Sequence, residues 1–304
     1  MKTAHRPHHE RRRRLRRRPD KRDHDIRRIL VALDSSAEGL AALDTAARLA
    51  ARLEAELEGL YVEDEALLHM ARAPLTRIVS MTSASQSLSA ADMERSMRAQ
   101  ARAAHQALAR ASERRAVRWS FRTVRGQVSG EILAAAPGVD MVILGKANRR
   151  LARAKLGSTA RTLWSQAPGA VLVGEHAAGE GAGEHPVICV YEGTPASDRA
   201  VAIAASIAGN GCCRLTLLLV GSSEDATRAL EADAMTRLSP QGIAIKRLRV
   251  LLDRPGQLAN TLWQEHGELI VLADDSALLG QGPAEKIIEE LHLPVLLVRQ
   301  PATL

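Results

Sequence analysis

At 304 residues the chain is long for one domain and comfortable for two of about 150 each. Its 46% hydrophobic content excludes wholesale disorder, and no run approaches the length of apolar sequence that a membrane span requires. The net charge of +7 belongs to one end: residues 1–28 hold 13 Lys or Arg against four acids, while the rest holds 29 basic and 31 acidic residues. No apolar stretch follows this basic start, so it does not read as a secretory signal.

Residues 1–25, MKTAHRPHHERRRRLRRRPDKRDHD, show no periodic apolar face and predict a disordered, Arg-rich arm. Folded sequence begins at Ile26. Arg28–Asp34, RILVALD, reads as a buried strand, and Ser35 or Ser36 then caps a helix, with Glu38 three residues after Ser35 as in a capping box. Leu40, Leu43, Ala47, Ala50 and Leu53 follow at helical spacing. A second strand spans Leu57–Val62, and residues 63–90 look irregular. A cap at Ser89 opens a long helix with Met93, Met97, Ala101, Ala104 and Leu108 on its inner face. A strand at Trp119–Val124, a short helix at Ser129–Ala136, a strand at Met141–Leu144, a basic loop, a helix after Gly157 and a strand at Ala170–Val173 complete a domain over 26–175.

Residues 176–185 are rich in Gly, Ala and Glu and read as a linker. The same alternation then repeats over 186–304. Strands fall at Val187–Val190, Leu215–Val220, Ile243–Leu251, Leu269–Ala273 and Pro294–Val298, and helices at Ala200–Ile207, Glu224–Leu238, Gln257–Trp263 and Ala284–Leu291. The fold class expected is α/β: two tandem, doubly wound, parallel five-stranded sheets.

Ligands in such sheets bind outside the carboxyl ends of the strands. In the first half those ends carry Asp34, Val62, Gly126 and Gly145. The loop after Gly145 holds Lys146, Arg149, Arg150, Arg153 and Lys155, and finishes in Gly157, Ser158 and Thr159 at a helix start. A helix N-terminus presents free N–H groups to an anion, and the two hydroxyls add donors. The loop offers what a di- or triphosphate needs; a solvated basic loop before an ordinary helix cap is the plainer reading of the same residues.

RILVALDSS, the strand ending GLYV, and VILG…LGSTARTLWSQAPGAVLV together resemble a universal stress protein domain over about Arg28–Gly174. The resemblance implies an adenine nucleotide alpha hydrolase-like fold. It implies a site for ATP or another adenine nucleotide, with or without magnesium. By position, Asp34 and Val62 would face adenine and ribose, and Gly145, Gly157, Ser158 and Thr159 would meet ribose and phosphates. The family's loop is Gly-x2-Gly-x9-Gly-Ser/Thr; here Asn148 stands at the second glycine and eight residues separate it from Gly157. Family members commonly pair through their last strands, which makes Ala170–Val173 and Val295–Val298 a candidate interface for an intrachain pseudo-dimer, with a homodimer as a further option.

The second half resembles the family more faintly and reads as a degenerate copy. Tyr191 stands at the Asp34 position, and the fourth strand ends in Ala273, Asp274 and Asp275, two carboxylates that repel phosphate, where the first half has Gly145 and Lys146. About nine residues lead from Ala273 to the next helix, so the long loop is missing, and Gly280–Gly282 reads as a turn. No catalytic constellation and no metal-ligand spacing is present; slow ATP hydrolysis is the most that the resemblance implies. Cys189, Cys212 and Cys213 read as buried thiols of a reducing cytoplasm. The expected function is a stress-response protein binding an adenine nucleotide in its first domain. The rival readings are a nucleotide-free interaction module and weak binding of polyanions, nucleic acid among them, by the arm.

Overall fold

The computed structural model describes residues 26–34, 36–72, 77–79, 85–87, 90–145, 157–174, 185–209, 214–238, 243–251, 257–280 and 293–300. β1 (Arg28–Leu33) sends Ile29, Val31 and Leu33 into one core and Leu30 into another. A strand buried on both faces needs such an unbroken apolar run. α1 (Ala37–Leu53) crosses to β2 (Glu56–Asp64), which lies parallel to β1. The segment expected to be irregular contains α2 (Glu65–Arg72) and a hairpin of β3 (Arg77–Val79) and β4 (Ser85–Ser87). α3 (Ala90–Glu113) buries Met97, Ala101, Ala104 and Leu108, whereas Met93 is only half-buried. β5 (Trp119–Gly126), α4 (Val128–Ala135), β6 (Met141–Leu144), α5 (Ser158–Gln166) and β7 (Ala170–Val173) follow.

The second half runs β8 (Val187–Tyr191), α6 (Pro195–Gly209), β9 (Leu215–Gly221), α7 (Glu224–Leu238) and β10 (Ile245–Leu251). It ends with α8 (Gln257–Gln264), β11 (Leu269–Ala273), α9 (Ala277–Gly280) and β12 (Val295–Val298). The expected helix at 284–291, the arm at 1–25, most of the linker, Cys212 and Cys213 lie outside the described residues; Cys189 is a buried free thiol.

The two five-stranded sheets are joined edge to edge into one sheet of order β10-β9-β8-β11-β12-β7-β6-β1-β2-β5. Neighbours are parallel except β12 and β7, which pair antiparallel. Their register sets Leu296 opposite Leu172, flanked by Val295 opposite Val173 and Leu297 opposite Val171. Each half repeats one strand order, third-second-first-fourth-fifth counted along its own segment. α1, α3, α6 and α7 bury their apolar sides on one face of the sheet, and α4, α5 and α8 on the other. Both cores therefore run across the seam between the halves.

Both outer strands carry cations tied to neighbouring acids. Arg122 on β5 meets Glu58, and Arg247 and Arg249 on β10 meet Glu231. Charged edges discourage further strand addition. One detail of α1 departs from the helical spacing read above. Leu40 is 48% exposed, because it faces a groove of about 360 Å³ between α1 and α3 rather than the sheet. The sheet-facing surface of α1 is mostly alanine, with Leu43 and Leu49.

Candidate functional site

The carboxyl ends of β1, β2 and β6 open into a cleft, and local backbone chemistry decides where its walls stand. Ser36, not Ser35, is the N-cap of α1: its backbone is extended at φ −77° and ψ 160°, and its Oγ accepts from the Gly39 N–H at 2.9 Å. Asp34, one residue past β1, accepts from the Ser36 N–H at 3.0 Å and from the Ser36 hydroxyl. Strand end and helix start are thus tied together, with the other carboxylate oxygen of Asp34 outside this turn. The remaining residue of the expected capping box, Ser35, lies outside the described residues.

Two glycines keep the cleft open by close approach. A Cβ on Gly39 would stand 2.1 Å from the Asp34 Oδ1. A Cβ on Gly145 would stand 2.9 Å from the carbonyl oxygen of Glu38 and 3.0 Å from its carbon. The end of β6 therefore sits directly against the first turn of α1. Gly145→Ala should cost about 1–3 kcal/mol, because the obstructing atoms are backbone and cannot rotate away. Thermal melting of the variant checks this; an unchanged melting temperature would mean that the contact is loose.

A cavity of about 390 Å³ occupies this place, lined by Asp34, Ser36, Glu38, Gly39, Val128, Ile132, Leu144, Gly145 and the start of α5 at Gly157, Ser158 and Thr159. A second, of about 520 Å³, adjoins it over the end of β2 and is lined by Tyr61, Val62, Asp64, Met93, Ser96, Met97 and Gln100. They share Ala32, Leu33, Asp34, Val128 and Ile132, so Asp34 stands at the junction of one two-armed cleft. Both volumes fall in the range of small-molecule sites, roughly 300–1,000 Å³.

Of the residues singled out in the sequence, Asp34, Gly145, Gly157, Ser158 and Thr159 converge on the first arm, and Val62 lines the second. Asn148 and the five loop cations lie outside the described residues. Gly157 is the N-cap of α5 with φ −60° and ψ 155°, a conformation open to any residue, and as a glycine it has no side chain with which to cap the helix. The first turn of α5 faces the cavity through Gly157, Ser158 and Thr159.

Several lining residues carried no sequence signal of their own. Val128 and Ile132, four apart on α4, form an apolar wall common to both arms. Tyr61 donates to the Gln100 Oε1 at 2.9 Å, and its phenol is pushed up by burial first and then by Glu63 and Asp34. Glu38 lines the first arm as well, with its backbone carbonyl against Gly145.

The second half is built differently at the matching place, and the strand registers correct one expectation. β1 meets β6 as Ile29 opposite Met141 and Val31 opposite Ile143; β8 meets β11 as Val187 opposite Leu269 and Cys189 opposite Val271. Counted on from these pairs, Tyr191 matches Leu33, and Glu192 matches Asp34. Tyr191 accordingly points into the core under α6 and α7, where its hydroxyl meets Asp198 at 2.9 Å and Asp233. Glu192 Oε1 accepts from the Ala277 N–H at 2.9 Å, and burial, more than neighbouring Asp275, holds its carboxyl above the ordinary range. Thr194 donates to Asp275 Oδ1 at 3.0 Å. α9 begins at Ala277, only a few residues past β11 and sooner than the spacing of about nine suggested. The carboxylate that stands at the Asp34 position thus holds the first turn of α9 within its own half.

Comparison with known proteins follows the same lines. The model of the universal stress protein family matches residues 25–173. A universal stress protein from Archaeoglobus fulgidus DSM 4304 overlays 90% of this chain and 98% of its own, with a TM-score of 0.66 and 16% identity. A functionally unknown protein from Pseudomonas aeruginosa PAO1 overlays 91% of this chain and 93% of its own, with a TM-score of 0.56 and 17% identity. Universal stress protein UspA from Lactobacillus plantarum is 25% identical over 49% of this chain and 97% of its own, with a TM-score of 0.37. No curated protein matches the sequence. The first two structures share the fold across both halves; identities this low speak to fold alone.

Proposed function

Because residues 25–173 belong to the universal stress protein family, we propose that this segment binds ATP or another adenine nucleotide. The protein would then act as a nucleotide-dependent stress-response factor in the cytoplasm. One observation carries the reading: Asp34, Gly145 and the start of α5 line a single cavity at the carboxyl ends of the strands. The phosphates would lie in the arm at Gly157, Ser158 and Thr159, and the base in the arm at Val62. Asp34 brings negative charge to the phosphate arm. It favours a nucleotide whose own charge is reduced by magnesium. No helix among the described residues is long and apolar enough to cross a membrane.

The second half would be a tandem copy of the same unit that has lost its site. Glu192, engaged with Ala277, supports this. So does the antiparallel pairing of β7 with β12, which would make the chain its own pseudo-dimer.

Mass spectrometry of molecules released from the purified, denatured protein tests the reading without assuming the ligand. An adenine nucleotide at near-equal amounts supports it. In titrations, Asp34→Ala should weaken ATP at least about tenfold, roughly 1.4 kcal/mol. A variant that binds as tightly as the parent would remove Asp34 from the site.

A further inference from the structure

The helix that forms the phosphate end of the cleft is anchored from the other half of the chain. α5 presents its first residues to the cavity. Its far end meets Arg299, the residue after β12. The Arg299 guanidinium donates through Nη1 to the Ala167 carbonyl at 2.6 Å and through Nη2 to the Trp164 carbonyl. Carbonyls at a helix end lack partners within the helix, and a cation there also complements the negative end of the helix dipole.

Arg299 is itself held in place. Its side chain is only 15% exposed, and its Nε lies 3.7 Å from Asp274 Oδ2. Its own carbonyl accepts from the buried side of Arg199 on α6. Asp274 belongs to the turn that follows β11. Polar contacts therefore lead from the end of β11, through Arg299, to α5. A helix of this length spans about 12 Å and moves as a rigid unit, so a change at one end is felt at the other.

We propose that Arg299 is a positioning residue for the first half's phosphate arm. By fixing the end of α5 it sets where Gly157, Ser158 and Thr159 stand, and the second half of the chain thereby tunes the first half's affinity for phosphate groups. The ligand named here rests on the nucleotide reading above; the anchoring of α5 does not.

The test uses the full chain, with Arg299→Ala and Arg299→Lys compared with the parent. A guanidinium reaches two carbonyls at once, whereas an ammonium serves as a point donor. Hydrogen exchange of the α5 amides should rise in Arg299→Ala and recover partly in Arg299→Lys. Affinity for ATP should fall about tenfold in Arg299→Ala while that for adenosine changes less than about twofold, a coupling of ordinary size. Unchanged exchange in α5 overturns the inference whether or not any nucleotide binds. Equal losses for ATP and adenosine, with a lowered melting temperature, also overturn it, because they show general destabilisation. If the parent binds no adenine nucleotide, the nucleotide reading fails, and the exchange measurement alone still decides the role of Arg299.

Discussion

Arg52→Ala should destabilise the protein by about 3 kcal/mol, more than a surface ion pair would. Arg52 lies in the last turn of α1, and Glu268 lies just before β11, in the other half. Their Nη1–Oε1 distance is 3.0 Å, and their side chains are only 12% and 7% exposed. Removing the cation takes away the direct partner of a buried carboxylate beneath the seam, among Leu49, Ile207, Leu269 and Pro294, and leaves Arg48 as a neighbouring cation. Replacing both partners with leucine should cost much less, since neither charge is then left unpaired. Urea unfolding of the single and double variants measures this. Equal losses in the two would show that packing, and not the buried charge, sets the cost.

Leu172→Ala should cost about 2–5 kcal/mol. Leu172 on β7 and Leu296 on β12 are fully buried and directly opposite each other on the antiparallel pair that joins the halves. The truncation opens a cavity where both sides of the seam are packed sheet and cannot easily collapse. Leu172→Met keeps the volume and should cost less than about 1.5 kcal/mol. Denaturant midpoints at constant slope read both values. A loss below about 1 kcal/mol for the alanine variant would mean that the seam is not packed as a core.

The alternation of strand and helix was legible because parallel strands buried on both faces leave unbroken Val, Ile and Leu runs. Met141–Leu144 and Ala170–Val173 match the observed strands residue for residue. Three features were not legible, each for a physical reason. α2 is eight residues long, and its cap, Asp64, whose Oδ1 accepts from the Ala66 N–H at 2.9 Å, stands in the acidic run that ends β2, so Glu65–Arg72 does not stand out from a loop. Leu40 has the right helical spacing but faces an open groove, which only the placement of α3 determines. VICVYEG gives no internal mark of register, so the sequence alone sets Tyr191 against Asp34. Pairing of β8 with β11 shifts the assignment by one residue to Glu192, and with it the face of the sheet.

The candidate site divides the same way. Asp34, Gly145, Gly157, Ser158 and Thr159 are readable from sequence because they sit at strand ends and a helix start, where position alone dictates exposure to a ligand. Val128, Ile132, Tyr61 and Gln100 enter the cleft through the packing of α3 and α4 over β1 and β2, which no local pattern specifies. Arg299 is further still from legibility: its role depends on β12 lying beside β7, so that a residue near the end of the chain reaches a helix of the first half.

Calorimetric titration of the full chain with ATP in magnesium buffer tests the central claim most directly. The account predicts saturable binding with one site per chain, abolished or sharply weakened by Asp34→Ala and unaffected by Glu192→Gln. No saturable binding at millimolar ATP, or a stoichiometry of two, would contradict it.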